Sequence, residues 1–268
     1  GKPTRVPLRE NLDFMLDSEE LEKRITLKTK LMMLNFPNNP TGSVLTRDVM
    51  ETIAEVAKRH NILVLLDNVY EKFIYDEKGC CLKEILPEIR ERTIMVNSFS
   101  KTYAMTGWRL GYAVATETLI EKICKVQEST TTCVPPFCQI AGIEALKRGD
   151  HFTNMMLKEF ENRRQTMVKG LNKIEGITCK MPRGAFFTFP NITKLGVNSE
   201  KFSEFLLKEA NVVTVPGPAF GKQGQGHIRF SYANSKENIE KALDRTRGAV
   251  ERLLTGKIKE HKKISHLA

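Results

Sequence analysis

The chain has 268 residues, of which 41% are hydrophobic and 28% charged, and its formal net charge is +10. These values are typical of a globular protein with a sizeable core. Because no apolar run is long enough to cross a membrane and no apolar leader precedes the first strand, we expect a cytoplasmic protein without a membrane partner.

The positive charge does not identify a nucleic-acid-binding protein. Basic residues are distributed along the chain among acidic ones, and no nucleic-acid-binding motif accompanies them. One concentration of lysines follows residue 256, and we interpret it as a solvated end.

The cysteines predict neither a disulfide scaffold nor a metal site. None forms a C-x-x-C pair, and they are sparse for a chain of this length. We expect free thiols in a reducing compartment at all six positions: Cys80, Cys81, Cys124, Cys133, Cys138 and Cys179.

The first part of the chain alternates between strand and helix patterns. Asp17 or Ser18 can cap a short first helix. The apolar run at 31–34 predicts a strand that leads into a tight loop at 37–42, in which Asn39–Pro40 is a candidate for a cis bond. Thr46 can cap a helix, since apolar residues repeat at helical spacing after it. A second buried strand at 62–66 ends at Asp67. This alternation predicts an α/β fold with a mostly parallel sheet.

A third apolar run, at 93–96, leads into a loop of unusual composition. Ser98, Ser100 and Lys101 come first, Arg109 follows, and a further strand covers 110–115. A lysine between apolar strands is a poor choice for a surface residue, and amines of this kind form covalent bonds with carbonyl compounds. The planar fork of donors on Arg109 suits a phosphate.

Helices and short strands alternate in the rest of the chain. We predict helices at 117–128 and 137–147, separated by a polar break at 129–136, and a long helix at 151–172. Ser199 is expected to cap a helix that ends at 210, and a final helix covers 238–254. Strands are predicted at 184–190, at 212–215 and at 227–233, the last of which carries Arg229.

Several of these segments resemble fold-type I, pyridoxal-phosphate-dependent aminotransferases of class I/II, the aspartate and aromatic aminotransferases. The matching motifs are Asn-Pro-Thr-Gly at 39–42, Asp-x-x-Tyr at 67–70 and Ser-x-Ser-Lys at 98–101. Each motif alone also fits a turn, a capping aspartate or a surface loop, so the case depends on their joint order. The resemblance implies a three-layer α/β large domain, of which 1–150 is the C-terminal part. An interdomain helix and a small α+β domain at 151–268 would follow.

The resemblance also implies the catalytic residues. Lys101 would carry pyridoxal 5'-phosphate and move the substrate proton as base and acid. Asp67 would pair with the ring nitrogen of the cofactor, and Tyr70 and Asn39 would contact its phenolic oxygen.

By the same resemblance, the remaining site residues would bind the cofactor phosphate or the substrate. Ser98 and Arg109 would anchor the cofactor phosphate. Arg229 would form a bidentate pair with the substrate α-carboxylate, and Asn39 would also contact the substrate.

The implied function is transamination between an L-amino acid and a 2-oxo acid in a homodimer. Two alternatives share the same scaffold: a pyridoxal-phosphate lyase or synthase, and a non-catalytic domain of a transcription regulator. The preferred donor stays open. Family members have a segment before the strand at 31–34, and the chain begins at Gly1 without a methionine, so we expect a fragment.

Overall fold

The computed structural model describes residues 1–75 and 86–256. The expectations for Cys80, Cys81 and the basic tail lie outside these residues, whereas the other four cysteines are free thiols as predicted. The described elements are α1 (Ser18–Glu22), β1 (Leu31–Asn35), α2 (Arg47–Arg59), β2 (Leu63–Asp67), α3 (Leu86–Ile89), β3 (Thr93–Ser98), α4 (Phe99–Thr102), β4 (Gly111–Val114), α5 (Glu117–Thr131), α6 (Pro136–Arg148), α7 (Asp150–Leu171), β5 (Phe187–Thr188), α8 (Ser199–Ala210), β6 (Val215–Pro216), β7 (Ile228–Ser231) and α9 (Lys236–Leu254).

Contacts divide the chain into two compact units. The first contains residues 1–161 with 182–185, and the second contains residues 162–181 with the chain from Phe186 onward. The division falls within α7, which therefore contributes to both units. The domain boundary that the sequence places after residue 150 stays a prediction.

The first unit contains a four-stranded mixed sheet with the order β1-β2-β3-β4. The pairs β1–β2 and β2–β3 are parallel, and β3–β4 is antiparallel. The register places Asn35 opposite Asp67 and Asp67 opposite Val96, so the parallel strands end at one edge of the sheet. The α/β class and the mostly parallel sheet predicted from the sequence are confirmed.

One face of this sheet forms the core of the first unit. Met32, Leu34, Val64 and Leu66 are each at most 7% exposed and belong to one cluster with apolar side chains of α2. The apolar run at 31–34 indicates a buried strand, but alternate side chains point to the other face, where Met33 is 72% exposed. A strand alternates its side chains between faces, and only one face of β1 is covered here.

The second unit contains a three-stranded antiparallel sheet with the order β5-β7-β6. Its core includes Tyr232, Phe202, Leu206 and Ile228, all of which are almost completely buried. Helices α8 and α9 contact each other in this unit. The asparagine Asn198 caps α8 by accepting a hydrogen bond from the Lys201 amide at 2.8 Å.

Several predicted helix ends are wrong for local reasons. Asp17 caps α1 as predicted, and Thr46 occupies the N-cap position of α2 as expected but makes no side-chain hydrogen bond there. Ser199 is the first residue of α8 rather than its cap. The polar break at 129–136 begins later than predicted because the Ser129 and Thr130 hydroxyls donate to carbonyls one turn back within α5.

The strands predicted at 184–190 and 212–215 are shorter in the structure. The first is reduced to β5 because Ala185 has a left-handed backbone, with φ of 56°, which interrupts an extended strand. The second is reduced to β6 because the Val212 amide donates to the Leu206 carbonyl and so closes the end of α8. Both strands still pair with β7, so the position of Arg229 in a sheet is unaffected.

Candidate functional site

The ends of β1 and β2 are joined by one amide side chain. Asn35 Nδ2 donates to Asp67 Oδ2 at 3.0 Å, and Asn35 Oδ1 accepts from the Asn39 amide at 3.0 Å. The other carboxylate oxygen, Asp67 Oδ1, accepts from the Val69 amide at 3.3 Å. Asp67 is therefore held in place from both sides, and it is connected through Asn35 to the loop that carries Asn39.

The loop at 37–42 is fixed by its own hydrogen bonds. The Asn38 amide donates to the Ser43 carbonyl, and the Gly42 amide donates to the Asn38 carbonyl, both at 2.8 Å. Asn38 Oδ1 accepts from the Thr41 hydroxyl at 2.8 Å. Phe36–Pro37 and Asn39–Pro40 are cis, as the sequence suggests for the second bond. Gly42 has φ of 69°, and a side chain there would collide with Pro182, so this position requires glycine.

The turn after β2 buries Tyr70 and pairs its polar neighbours. Tyr70 is 5% exposed and Asn68 is 2% exposed. Asn68 Nδ2 donates to Glu71 Oε2 at 2.9 Å, and the Asn68 amide donates to the Val96 carbonyl at 2.9 Å. The turn is thereby attached to the middle strand of the sheet, which fixes Tyr70 close to the strand end.

Ser98 ends β3 and begins the short helix that contains Lys101. Its hydroxyl oxygen accepts from the Ser100 amide at 3.1 Å and donates to the Leu110 carbonyl at 3.2 Å. Lys101 lies in the last turn of α4 and is partly exposed. The predicted strand-loop arrangement around the lysine is correct, with a single helical turn in place of an irregular loop.

Two residues of this segment have left-handed backbones. Ala104 and Arg109 each have φ of 53°, a region that residues other than glycine rarely adopt. The exposed Arg109 guanidinium donates to the Thr106 carbonyl at 2.8 Å, which closes the turn between them. Such strain is common at functional sites, where the surrounding structure maintains it.

Aromatic and acidic side chains surround the same segment. Tyr103 and Tyr112 contact Phe99, with ring centroids 5.5 Å and 5.8 Å from it. Burial raises the pKa of Tyr112 above its ordinary value, and the Glu71 carboxylate raises it further, whereas a hydrogen bond with Asn97 lowers it. Burial likewise raises the pKa of Tyr103. Both phenols are therefore neutral at physiological pH.

In the second unit, the Arg229 guanidinium lies over two phenyl rings. The guanidinium carbon lies 4.4 Å from the centroid of Phe187 and 5.1 Å from that of Phe220. Phe220 in turn meets Phe189 edge-on, with ring centroids 6.2 Å apart. Two aromatic faces attract a cation and restrict the plane of the guanidinium.

The structure brings most of the predicted residues together within the first unit. The ends of β1, β2 and β3 carry or precede six of them: Asn39, Asp67, Tyr70, Ser98, Lys101 and Arg109. The seventh residue, Arg229, belongs to the second unit.

Sequence reasoning missed three residues of these sites. Asn35 could have been found from its position at the end of an apolar run, since Asp67 ends the next run in the same way. The period-two spacing of Phe187 and Phe189 indicates an aromatic face beside a neighbouring strand. No local pattern indicated that Phe220 would reach Arg229, because the contact depends on the irregular turn between β6 and β7.

The donor set of the first unit fits pyridoxal phosphate, the cofactor that the resemblance implies. A carboxylate that is already held by two donors suits a protonated ring nitrogen, which Asp67 provides. The Arg109 guanidinium is exposed at the turn after Lys101 and suits a phosphate. Within residues 1–75 and 86–256, no group of three His, Cys, Asp or Glu side chains could hold a metal ion, and no helix is long and apolar enough to cross a membrane.

Residues 1–245 match the family model described as aminotransferase class I and II. The chain is 46% identical over 254 residues to an aspartate aminotransferase of Pyrococcus horikoshii, and 45% identical over 247 residues to aromatic-amino-acid aminotransferase 2 of Thermococcus litoralis. The matches cover 94% and 91% of this chain. They cover 64% and 63% of the two relatives, so the chain spans less than two thirds of their length.

Solved structures of aminotransferases share the fold of this chain. An aromatic aminotransferase from Pyrococcus horikoshii superposes with a TM-score of 0.90 at 44% identity, covering 94% of this chain and 68% of that one. An aspartate aminotransferase from Thermus thermophilus with maleate superposes with a TM-score of 0.85 at 33% identity, covering 91% of this chain and 63% of that one.

Proposed function

The chain belongs to the aminotransferase class I and II family, and from this we propose that the protein transfers an amino group between an L-amino acid and a 2-oxo acid with pyridoxal 5'-phosphate. The observation that carries the proposal is the placement of Asp67, Ser98 and Lys101 at the carboxyl ends of neighbouring strands. In open α/β sheets this edge is where ligands bind.

Each polar group of the first unit has a role suited to its surroundings. Asp67, which accepts hydrogen bonds from Asn35 and Val69, would hold the proton of the cofactor's ring nitrogen. Asn39 and the hydroxyl of Tyr70 would contact the phenolic oxygen. The cofactor, when bound, supplies an electron-withdrawing ring that makes loss of the substrate α-proton feasible and carries the amino group between the two substrates.

Lys101 would act at two stages. Its Nζ amine would bind the cofactor covalently, and after release it would take the proton from the substrate α-carbon and return it elsewhere as an acid. Ser98 and Arg109 would orient the phosphate. Because the Ser98 hydroxyl donates to the Leu110 carbonyl in this structure, its hydrogen would have to rotate to meet a phosphate oxygen.

Arg229 would bind the substrate α-carboxylate. A guanidinium presents parallel donors to a planar carboxylate, and the Phe187 and Phe220 rings lie close to its central carbon. The relatives named above act, by their names, on aspartate or on aromatic amino acids, and we keep both classes as candidate donors.

The test is amino transfer by the natural full-length protein from a panel of acidic, aromatic and aliphatic L-amino acids to a 2-oxo acid. Lys101→Ala should lower the rate roughly 10²- to 10⁴-fold, the contribution typical of a positioned acid–base group. It should also abolish the visible absorption that a lysine-bound cofactor gives. The matched control is Lys173→Ala, at an exposed lysine of the second unit, which should retain both.

Other outcomes would identify the alternatives. Retention of transamination by Lys101→Ala contradicts the proposal. Release of ammonia or of an elimination product in place of a 2-oxo acid and a transferred amine would favour a lyase or synthase. Binding to DNA by a protein that lacks transamination would favour a regulator domain.

We also propose a cytoplasmic homodimer. The free thiols of the four described cysteines suit a reducing compartment. The dimer is an expectation from the family, and light scattering of the purified natural protein would measure it directly. A monomer at concentrations that retain activity would contradict it.

A further inference from the structure

Asn35 is the group at the candidate site that connects two of its predicted residues. Its side chain donates to Asp67 Oδ2 and accepts from the Asn39 amide, both at 3.0 Å. Only one orientation of the amide satisfies both contacts, since a carboxylate needs a donor and a backbone N–H needs an acceptor. The two neighbours therefore fix the orientation of the side-chain amide, with Nδ2 toward Asp67 and Oδ1 toward the Asn39 amide.

The backbone on either side of this bridge is also fixed. The strands β1 and β2 pair in register with Asn35 opposite Asp67. The Asn35 carbonyl accepts from Asn38 Nδ2 at 3.1 Å, which holds the start of the loop. The amide thus lies between a strand and a loop that are each restrained, so it has little freedom to adopt another geometry.

We propose that Asn35 is a positioning residue that sets the Asp67 carboxylate and the Asn39 loop as one unit for the cofactor ring. The proposal rests on the proposed function, because Asp67 and Asn39 are the groups that would meet the ring nitrogen and the phenolic oxygen. Asn35 itself touches neither substrate nor cofactor in this assignment. Its amide directs one oxygen of Asp67 and thereby leaves the carboxylate in a defined orientation.

Two substitutions separate the two halves of the bridge. Asn35→Leu removes both the donor and the acceptor and keeps the branched shape of the side chain. Asn35→Asp retains the oxygen that accepts from Asn39 but replaces the donor with a second carboxylate facing Asp67. At low pH the new side chain can be protonated and donate to Asp67 again, whereas at high pH the two charges repel each other.

The experiment measures the dissociation constant of pyridoxal phosphate by equilibrium dialysis on the natural full-length protein at about pH 6 and about pH 8. Asn35→Leu should raise this constant roughly 10- to 100-fold at both pH values, the range for loss of a hydrogen bond to a charged group. Asn35→Asp should bind within about threefold of wild type near pH 6 and at least about tenfold more weakly near pH 8.

The control is Asn61→Asp, which makes the same chemical change away from the site. Asn61 accepts from Arg92 at 3.0 Å and has φ of 50°, a region that aspartate tolerates as asparagine does. It should match wild type at both pH values. Thermal unfolding of each variant without cofactor checks that it folds. If Asn35→Leu does not fold, the comparison of Asn35→Asp at the two pH values still tests the proposal.

The outcomes separate the two proposals. If wild type binds pyridoxal phosphate and depends on Lys101, but Asn35→Asp equals wild type at both pH values, the role of Asn35 is wrong and the proposed function stands. An Asn35→Asp variant that is equally weak at both pH values also contradicts the bridge, since a general structural defect would have no pH dependence. If wild type does not bind the cofactor, the proposed function is wrong, and the inference with it.

Discussion

The two units hold their charged groups by different means. In the first unit, Asp67 is held by directional hydrogen bonds from Asn35 and the Val69 amide. In the second unit, the Arg229 guanidinium lies over the rings of Phe187 and Phe220. A carboxylate accepts hydrogen bonds along its lone pairs, so donors fix it well, whereas a flat guanidinium can also be positioned by contact with aromatic faces.

This difference indicates which substitutions each unit should tolerate. The first unit depends on matched donors and acceptors, so a change of polarity should be costly even when the volume is kept. The second unit depends on flat apolar surfaces, so a change of shape should be costly even when the charge is kept. The next three predictions test that division.

The largest effect is expected for Arg229→Lys, which keeps the charge but loses both the planar fork and the flat stacking surface. Loss of a charge-assisted bidentate contact corresponds to roughly 1.5–3 kcal/mol, so KM for the amino acid should rise about 10- to 100-fold. Steady-state kinetics with a saturating 2-oxo acid measures this. Arg245→Lys, at an exposed arginine of the same unit, is the control. A KM close to wild type would show that shape does not matter at position 229.

An intermediate effect is expected for Phe220→Leu, which keeps an apolar side chain but removes one aromatic face. A cation–π contact contributes about 0.5–2 kcal/mol, so KM should rise roughly 2- to 30-fold while kcat changes little. Phe205→Leu provides the same replacement in α8 of the second unit, away from the arginine. An equal KM for both variants, or a fall in kcat alone, would contradict the role of the ring.

The smallest effect is expected for a pair of helix caps, one in each unit. Ser98 caps α4 through the Ser100 amide, and Ser235 caps α9 through the Asn238 amide at 3.2 Å. Either serine replaced by alanine should lower the free energy of unfolding by about 1 kcal/mol, measured by urea titration. Only Ser98→Ala should also weaken pyridoxal phosphate binding. Equal cofactor affinity in the two variants would remove Ser98 from the proposed site.

Much of the fold could be predicted because the strand ends coincide with changes in composition. The run at 31–34 ends at Asn35 and the run that follows ends at Asp67, and both strands occur where predicted. Helix ends were less predictable, since hydroxyls such as Ser129 continue a helix by bonding to the preceding turn. The one-sided exposure of β1 could not be read from a uniformly apolar run, which has no alternation to mark a face.

The site was predictable to the extent that its residues follow strands. Asp67 comes directly after one apolar run and Lys101 five residues after another, so their common edge follows from parallel pairing. The Asn35 bridge is indicated only in part, because the ends of both apolar runs fall at one edge of the sheet but the exact partner depends on the register of β1 against β2. The Phe220 contact depends on the path of the irregular turn between β6 and β7, which a single sequence does not reveal.

The in-register pairing of Asn35 with Asp67 has a consequence for how the length of this chain can vary. Exposed turns between the loop at 37–42 and β2 could gain or lose residues, because such turns tolerate changes of length. A single deletion inside β1 would instead turn each following side chain to the opposite face of the sheet. Asn35 would then point away from Asp67, so natural or designed changes of length should be rare within these five residues.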